Sequence, residues 1–352
     1  MSELLVKILN LHLHPESGSP YWLDREQELG FSICKRVQSL DDLHELGPFD
    51  LQALVNRPVT DFIPKSLLGR TTLITGETGG ATGVPKTTAY FEDEFDAAFV
   101  QPFLSTCNGQ IKFNNGYWLW LGPGGPHVIG KAARKIGKLT SGCDVFSIDF
   151  DPRWYRALSQ GTVARTRYLE HLVEQAVQII RQQNIRYLFS TPVMLMALIK
   201  VMQEQHRQAI EFIYLGGMSV NVETMNELGE VFPNAQFLSG YGNTLFGVSH
   251  ELAPHRPDKK LPVYYPPGER VSINVVSMDV TKSDAERLRQ VVANGERGQV
   301  VMHRLDQSCF LANVMERDCA VRVAATGAGK LDGICDPQPI QDDRFKVDNG
   351  IY

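Results

Sequence analysis

Between Arg165 and Gly247, apolar positions repeat with two alternating periods. Leu169, Leu172, Val173, Ala176, Val177 and Ile180 fall three and four residues apart and predict one face of a helix. Tyr187-Leu188-Phe189 is a short unbroken apolar run and predicts a buried strand. Thr191-Pro192 offers an N-cap with proline at the first helical position, so a helix is expected from there through Met202. Phe212-Ile213-Tyr214-Leu215 predicts the next strand, closed by Gly216-Gly217, and Val222 to Val231 the next amphipathic helix. Gln236-Phe237-Leu238 predicts a third strand, ended by Gly240-Tyr241-Gly242. Strands and helices that alternate with short links make a parallel sheet covered by helices. Ligands of such sheets bind outside the carboxyl ends of the strands, and those ends carry the glycines here.

The flanks read differently. Thr71-Thr72-Leu73-Ile74 predicts the end of a strand, and a Gly/Thr-rich loop follows. Phe95, Ala98, Phe99 and Phe103 lie at helical spacing within 92–104. Segment 109–130, with Gly109, Gly116, Gly122, Gly124, Gly125 and Gly130, reads as loop-rich. Residues 1–70, punctuated by Pro15, Pro20, Pro48, Pro58 and Pro64, read as short helices and loops packed on the core. After residue 252 prolines recur, and 271–276 and 298–302 predict strands of a β-rich subdomain. The expected organisation is an α/β chain in three parts: 1–70, 71–251 and 252–352.

Composition narrows the class. Apolar residues make up 43% and charged residues 21%, enough to bury a full core. The net charge of −5 gives no basic domain of the kind nucleic-acid binders carry. The six cysteines form no CxxC pair, which fits a reducing cytosol better than a disulfide scaffold. The start, Met1 to Leu13, is interrupted by Glu3, Lys7 and Asn10 and lacks the features of a signal peptide. The longest apolar stretch, Val193 to Ile199, is too short for a bilayer. A cytoplasmic protein with no membrane or nucleic-acid partner is expected. His12 and His14 lack a third ligand and read as two same-face strand residues rather than a metal site.

The segment richest in chemistry is Thr78-Gly79-Gly80-Ala81-Thr82-Gly83-Val84-Pro85-Lys86. Glycines let the backbone approach a ligand, and consecutive N–H groups can form an anion-binding nest. Thr78 and Thr82 add hydroxyls and Lys86 a positive charge, so this is a phosphate cradle in chemical terms. Val84-Pro85 separates the last glycine from the lysine, so it is not a Walker A loop, and no GxGxxG is present in it. A flexible surface loop is the plain alternative.

This order of residues resembles the phosphate loop of the adenylate-forming superfamily, which comprises acyl-CoA synthetases, nonribosomal-peptide adenylation domains and luciferases. The family's usual form is Thr-Ser-Gly-Ser/Thr-Thr-Gly-x-Pro-Lys. The chain departs from it at Gly79 and Ala81, which removes hydroxyl donors. Gly216-Gly217-Met218 resembles the element that lines the family's adenine and acyl pockets. Gly240-Tyr241-Gly242-Asn243-Thr244-Leu245 resembles Tyr-Gly-x-Thr-Glu, in which Tyr packs near adenine, Thr meets the α-phosphate and Glu helps hold magnesium. Leu245 replaces that Glu, so the metal ligand stays unassigned, with Glu251 a nearby substitute. Gly295-Glu296-Arg297-Gly298-Gln299-Val300-Val301 resembles the family's Gly-Glu-x-Gly-Glu-Leu/Val strand, and Glu316-Arg317-Asp318 stands where the family has Thr-Gly-Asp. The resemblance assigns Asp318 to the ribose hydroxyls; a surface Asp beside Arg317 is the alternative. Gly122 to Gly130 resembles the Gly-rich region of phenylacetate–CoA-ligase-type members. That implies a substrate border at Gly124, Gly125 and Met218. His127 either meets the substrate carboxylate or is a packed loop histidine.

The resemblance covers about residue 70 to the end and implies a fold: the large N-terminal core of adenylate-forming enzymes, with helix-covered mixed sheets and a β-rich subdomain. It implies ATP or AMP and Mg²⁺ as cofactors, a nucleotide site at Thr78–Gly83, Gly216, Gly217, Gly240–Asn243 and Asp318, and Thr244, Lys86 and His127 at the reacting groups. The mobile C-terminal domain of the family is expected to be absent, since Asp342 to Val347 resembles its hinge and the chain ends at Tyr352, soon after Lys346. Length and departures are similar to those of a member from phenazine antibiotic biosynthesis. That implies phenazine-1,6-dicarboxylate as the acid, an aromatic slot near Trp118, Trp120, Tyr214 and Phe246, and a reductase or acceptor protein for the adenylate. A homodimer follows by analogy. Two alternatives stay open: a fragment of an aryl-CoA ligase, and a non-catalytic ATP- or carboxylate-binding protein, which Gly79, Ala81 and Leu245 favour.

Overall fold

A computed structural model describes residues 3–70, 72–80, 83–217, 220–257, 260–326 and 331–341. Ala81, Thr82 and Met218, and the hinge-like stretch 342–347, lie outside the described residues.

A two-stranded antiparallel hairpin, β1 (Leu73–Glu77) and β2 (Thr87–Phe91), brackets the Gly/Thr loop. The central sheet has six strands: β3 (Tyr117–Gly122), β4 (Phe146–Asp149), β5 (Ile185–Ser190), β6 (Phe212–Leu215), β7 (Gln236–Asn243) and β8 (Gly247–His250). Their order is β4-β3-β5-β6-β7-β8; every pairing is parallel except β7 with β8. Because side chains alternate across each strand, the sheet feeds two cores. Leu119, Leu121, Leu188, Ile213 and Leu215 pack with the helices Val163–Gln182, Pro192–Ile199 and Val222–Val231. Trp118, Trp120, Tyr187, Phe189, Phe212 and Tyr214 pack with the helical run 92–107 and the helix Val128–Ser141.

The helices that start at Pro192 and Val222 begin where the sequence predicts, and the one from Val163 begins before its apolar face. Thr162 Oγ1, Thr191 Oγ1 and Asn221 Oδ1 accept from the backbone N–H of Arg165, Met194 and Thr224. The helix after Thr191 ends at Ile199, short of the expected Met202. The run 92–107 contains a π-type turn over Asp96–Val100.

Three expectations are corrected. Segment 109–130 is not loop-rich throughout: Tyr117-Trp118-Leu119-Trp120-Leu121-Gly122 is a strand inside the central sheet, buried from Trp118 onward. Glycines on either side hide a fully buried apolar run that has no alternation to betray it. The third strand does not end at Gly240. β8 pairs back along it from Gly240↔His250 to Asn243↔Gly247, which keeps Tyr241 and Asn243 extended. Gly242 permits this turn, because a Cβ there would run into the carbonyl of Gly247. His12 ends a helix, Glu3–His12, rather than lying on a strand. It is fully buried, with Nδ1 3.0 Å from Ser19 Oγ and Nε2 3.0 Å from the Asp306 carbonyl. Burial pushes its pKa down to about 4.

The later chain forms an antiparallel sheet of β9 (Val263–Tyr264), β10 (Val271–Val276), β11 (Arg297–Leu305), β12 (Phe310–Val323) and β13 (Gly333–Pro339), in the order β10-β11-β12-β13-β9. The N-terminal helices pack on this sheet. Leu5, Ile8, Leu9 and Trp22 share a core with Val300, Phe310 and Leu311, and Trp22 Nε1 donates to the Phe310 carbonyl at 2.9 Å.

Candidate functional site

The loop between β1 and β2 is closed at its base by two hydrogen bonds. The Thr78 N–H donates to the Lys86 carbonyl and the Lys86 N–H to Thr78 Oγ1, both at 2.9 Å. Within it, the Gly83 N–H donates to the Gly80 carbonyl at 3.3 Å. Gly80 at φ 69° and Gly83 at φ 125° hold conformations that disfavour a side chain.

Glu77, the last residue of β1, joins three distant segments. Its N–H donates to the Pro126 carbonyl at 3.1 Å, one residue before His127. Thr244 Oγ1 donates to its carbonyl at 3.4 Å. The approach is close enough that a Cβ on Gly76 would strike Val128 and come within 3.2 Å of Thr244 Cγ2. His127, 8% exposed, has its pKa lowered by burial and then by Arg153, which favours the neutral imidazole at pH 7.

β7 faces β12 across the other side of the site. Tyr241 OH donates to Asp318 Oδ2 at 3.1 Å, and Asn243 Nδ2 donates to Glu316 Oε1 at 2.9 Å. Two carboxyl groups so close resist ionising together. Burial and then Asp318 push the Glu316 pKa up to about 7; burial raises that of Asp318 as well. Lys86 faces Glu316, and burial lowers its pKa against that carboxylate's pull. Burial, then Asp318, raises the Tyr241 pKa.

Gly216 and Gly217 follow β6. The Gly216 N–H donates to the Ser190 carbonyl at 3.2 Å, and a Cβ there would touch only Phe189 at 3.6 Å. Gly240 is required by packing, since its Cβ would lie 2.7 Å from Val248 Cγ1. Gly124 donates its N–H to Asp149 Oδ1 at 2.7 Å, beyond the ends of β3 and β4. With Gly125, Trp120, His127 and Lys131 it borders a cavity of about 130 Å³.

Of the four aromatic residues expected to form a slot, only Trp120 borders that cavity. Trp118 donates Nε1 to Thr140 Oγ1 at 2.9 Å, Tyr214 OH lies 2.6 Å from His250 Nε2, and Phe246 is fully buried. These three are core. Leu245 is core too, at 3% exposure. Glu251 does not replace the missing acid, because Oε2 accepts from the Ser239 N–H at 2.9 Å and Oε1 lies 2.8 Å from His255 Nε2. Among the described residues, no three His, Cys, Asp or Glu side chains are grouped to hold a metal ion. The described side chains therefore offer no donor set that would hold a metal without the nucleotide.

Sequence reasoning missed Glu77, Glu316, Arg153 and Arg156. Arg153 Nη2 donates to Glu77 Oε2 at 2.7 Å and to the Thr78 carbonyl at 3.1 Å, and Arg156 Nη2 donates to the Gly79 carbonyl. Glu77 stands directly before the loop motif, and Glu316 lies inside the Glu316-Arg317-Asp318 motif but receives no role from the resemblance. Nothing local links the two arginines to the loop.

No model of a protein family matches the chain, and no curated protein does. Solved structures do. An open conformation of 2-hydroxyisobutyryl-CoA ligase with 2-HIB-AMP and CoA matches with TM-score 0.64 at 12% identity, over 94% of this chain and 71% of that one. The same ligase in its thioesterification state gives 0.63 at 14%, over 94% and 65%. An ATP-bound RpMatB-BxBclM chimera gives 0.50 at 13%, over 74% and 46%. The chain thus spans about two thirds of the ligase's length and under half of the chimera's. At such identities the likeness establishes a fold. It is the fold of the part of 2-hydroxyisobutyryl-CoA ligase that the chain covers, a mixed α/β body with a β-rich subdomain.

Proposed function

We propose that this chain binds ATP and activates a carboxylic acid as its acyl-adenylate. The observation that carries the reading is convergence. The Gly/Thr loop, Thr244 and the His127 loop meet at Glu77, while Tyr241 reaches Asp318. In this reading loop amides, Thr78 and Lys86 hold the β- and γ-phosphates. Asp318 accepts from the ribose hydroxyls, as an acceptor-only carboxylate can. Tyr241 and the Gly216–Gly217 turn border the adenine. A carboxylate oxygen of the acid attacks the α-phosphorus, the new O–P bond forms, and the α–β bridging bond breaks to release pyrophosphate. Thr244 lies beside the α-phosphate and neutral His127 donates to the substrate carboxylate. Catalysis is then positioning plus preorganised donors. Any Mg²⁺ would be held by the nucleotide's phosphates, since the described side chains group no ligand set for it.

The finer assignment rests on the sequence resemblance: an aromatic acid, phenazine-1,6-dicarboxylate in antibiotic biosynthesis, activated in the cytoplasm for a reductase or acceptor protein, by a homodimer. ATP–pyrophosphate exchange with the chain, Mg²⁺ and a panel of aliphatic and aromatic acids tests both levels. Exchange dependent on one acid supports adenylation and names the substrate; exchange with aliphatic acids alone rejects the aromatic assignment. A second reading, a nucleotide-binding protein without chemistry, is favoured by the burial of Leu245 where the family carries an acid. ATP binding with no acid-dependent exchange selects it.

A further inference from the structure

The short helix Pro152–Ala157 stands against the outer wall of the Gly/Thr loop. Its start is fixed: Asp151 Oδ1 accepts from the N–H of Arg153 at 2.8 Å and of Trp154 at 3.1 Å, and the Asp151 N–H donates to Tyr168 OH at 2.8 Å. From this platform Arg153 binds the Glu77 carboxylate and the Thr78 carbonyl, and Arg156 binds the Gly79 carbonyl. Two successive loop carbonyls are thus turned toward the helix. In a trans peptide the N–H points opposite to the C=O. The N–H groups of Gly79 and Gly80 therefore face the other side of the loop. Arg153 Nε is buried and has no hydrogen-bond partner.

We propose that Arg153 and Arg156 are positioning residues for polyphosphate recognition. They lock the carbonyls of Thr78 and Gly79 outward, so that the next two amides present to the β- and γ-phosphates. The lock offsets the hydroxyl donors that Gly79 and Ala81 do not supply. The inference rests on the reading of this loop as an ATP site and names the residues that shape it.

The test compares ATP, AMP and pyrophosphate binding by calorimetry for the full chain and for R153Q, R156Q, R153K and R156K. A charged hydrogen bond lost from the loop is expected to weaken ATP and pyrophosphate about tenfold or more. AMP affinity and the melting temperature stay close to wild type. R153K and R156K keep a positive charge and a donor for these acceptors, so each recovers part of the affinity that its glutamine counterpart loses. Equal losses for ATP and AMP, or no loss in either glutamine variant, overturn the proposal. If the wild type binds ATP and the variants match it, only this inference falls. If it binds pyrophosphate but no adenine nucleotide, and the variants lose that binding, the nucleotide reading falls and the arginine role stands. If it binds neither, both fall.

Discussion

Glu316 and Asp318 stand two positions apart on β12, one held by Asn243 and the other by Tyr241. The Glu316 pKa of about 7 lies above the ordinary carboxyl value of 4.5. The folded state therefore binds a proton that the unfolded chain releases between those values. Its stabilising effect is complete below the unfolded pKa and fades as pH rises through 7. Glu316→Gln keeps the acceptor for Asn243 but does not titrate. Urea unfolding from pH 5 to 8 should show the variant gaining on wild type as pH rises, with the difference smallest at pH 5. Parallel curves would remove the buried charge from the account. Asp318→Ala tests the neighbouring group differently. It should weaken ATP by about tenfold or more and leave pyrophosphate binding unchanged, the opposite split from the arginine variants.

At the scale of elements, the site depends on how closely β1 passes the helix Val128–Ser141 and the Thr244 turn. Gly76→Ala places a methyl group against Val128 and Thr244. Overpacking of this kind costs about 1–3 kcal/mol, and the expected urea midpoint shift comes with weaker ATP binding. A variant as stable as wild type would mean that the contact gives way freely. The strands β5 and β6 and the helices packed on them were legible from their apolar periods, helped at Thr191-Pro192 by cap chemistry. β3 was not, since a strand buried on both faces shows no alternation and glycines surround it. The Gly/Thr loop was singled out by its residue types, and the Tyr241–Thr244 segment only by the family resemblance. The arginines were not, because Arg153 reaches a loop more than seventy positions away along the chain. The expected aromatic slot failed for a related reason: Trp118, Tyr214 and Phe246 look alike in sequence whether they fill a core or line a pocket.

At the scale of the whole molecule, one fully buried cation ties the three sheets together. Arg304, at the end of β11, donates to Asp306 at 2.6 Å, to Thr88 Oγ1 and the Ala89 carbonyl of β2 at 2.9 and 2.8 Å, and to the Leu245 carbonyl at 3.1 Å. Its guanidinium lies 3.6 Å from the Tyr90 ring centre. Burial alone would raise the Asp306 pKa, but Arg270 and Arg304 outweigh it and hold the carboxyl ionised. Arg304→Met keeps the bulk and removes the charge, leaving Asp306 with one cation and taking the guanidinium from the Leu245 carbonyl, while the Ala89 carbonyl keeps Ser308 Oγ. Breaking a buried pair from one side costs about 3–5 kcal/mol. By contrast Arg36→Met, in a solvent-screened surface pair with Glu45, should leave the unfolding midpoint nearly unchanged. Because β2 begins where the Gly/Thr loop closes and Leu245 follows Thr244, the first variant should also weaken ATP binding under conditions where it remains folded, whereas the second should not. Urea unfolding and nucleotide titration of the two variants side by side decide it. An Arg304→Met protein as stable as Arg36→Met would mean that the sheets are held by their apolar cores, and that the cation is only accommodated between them.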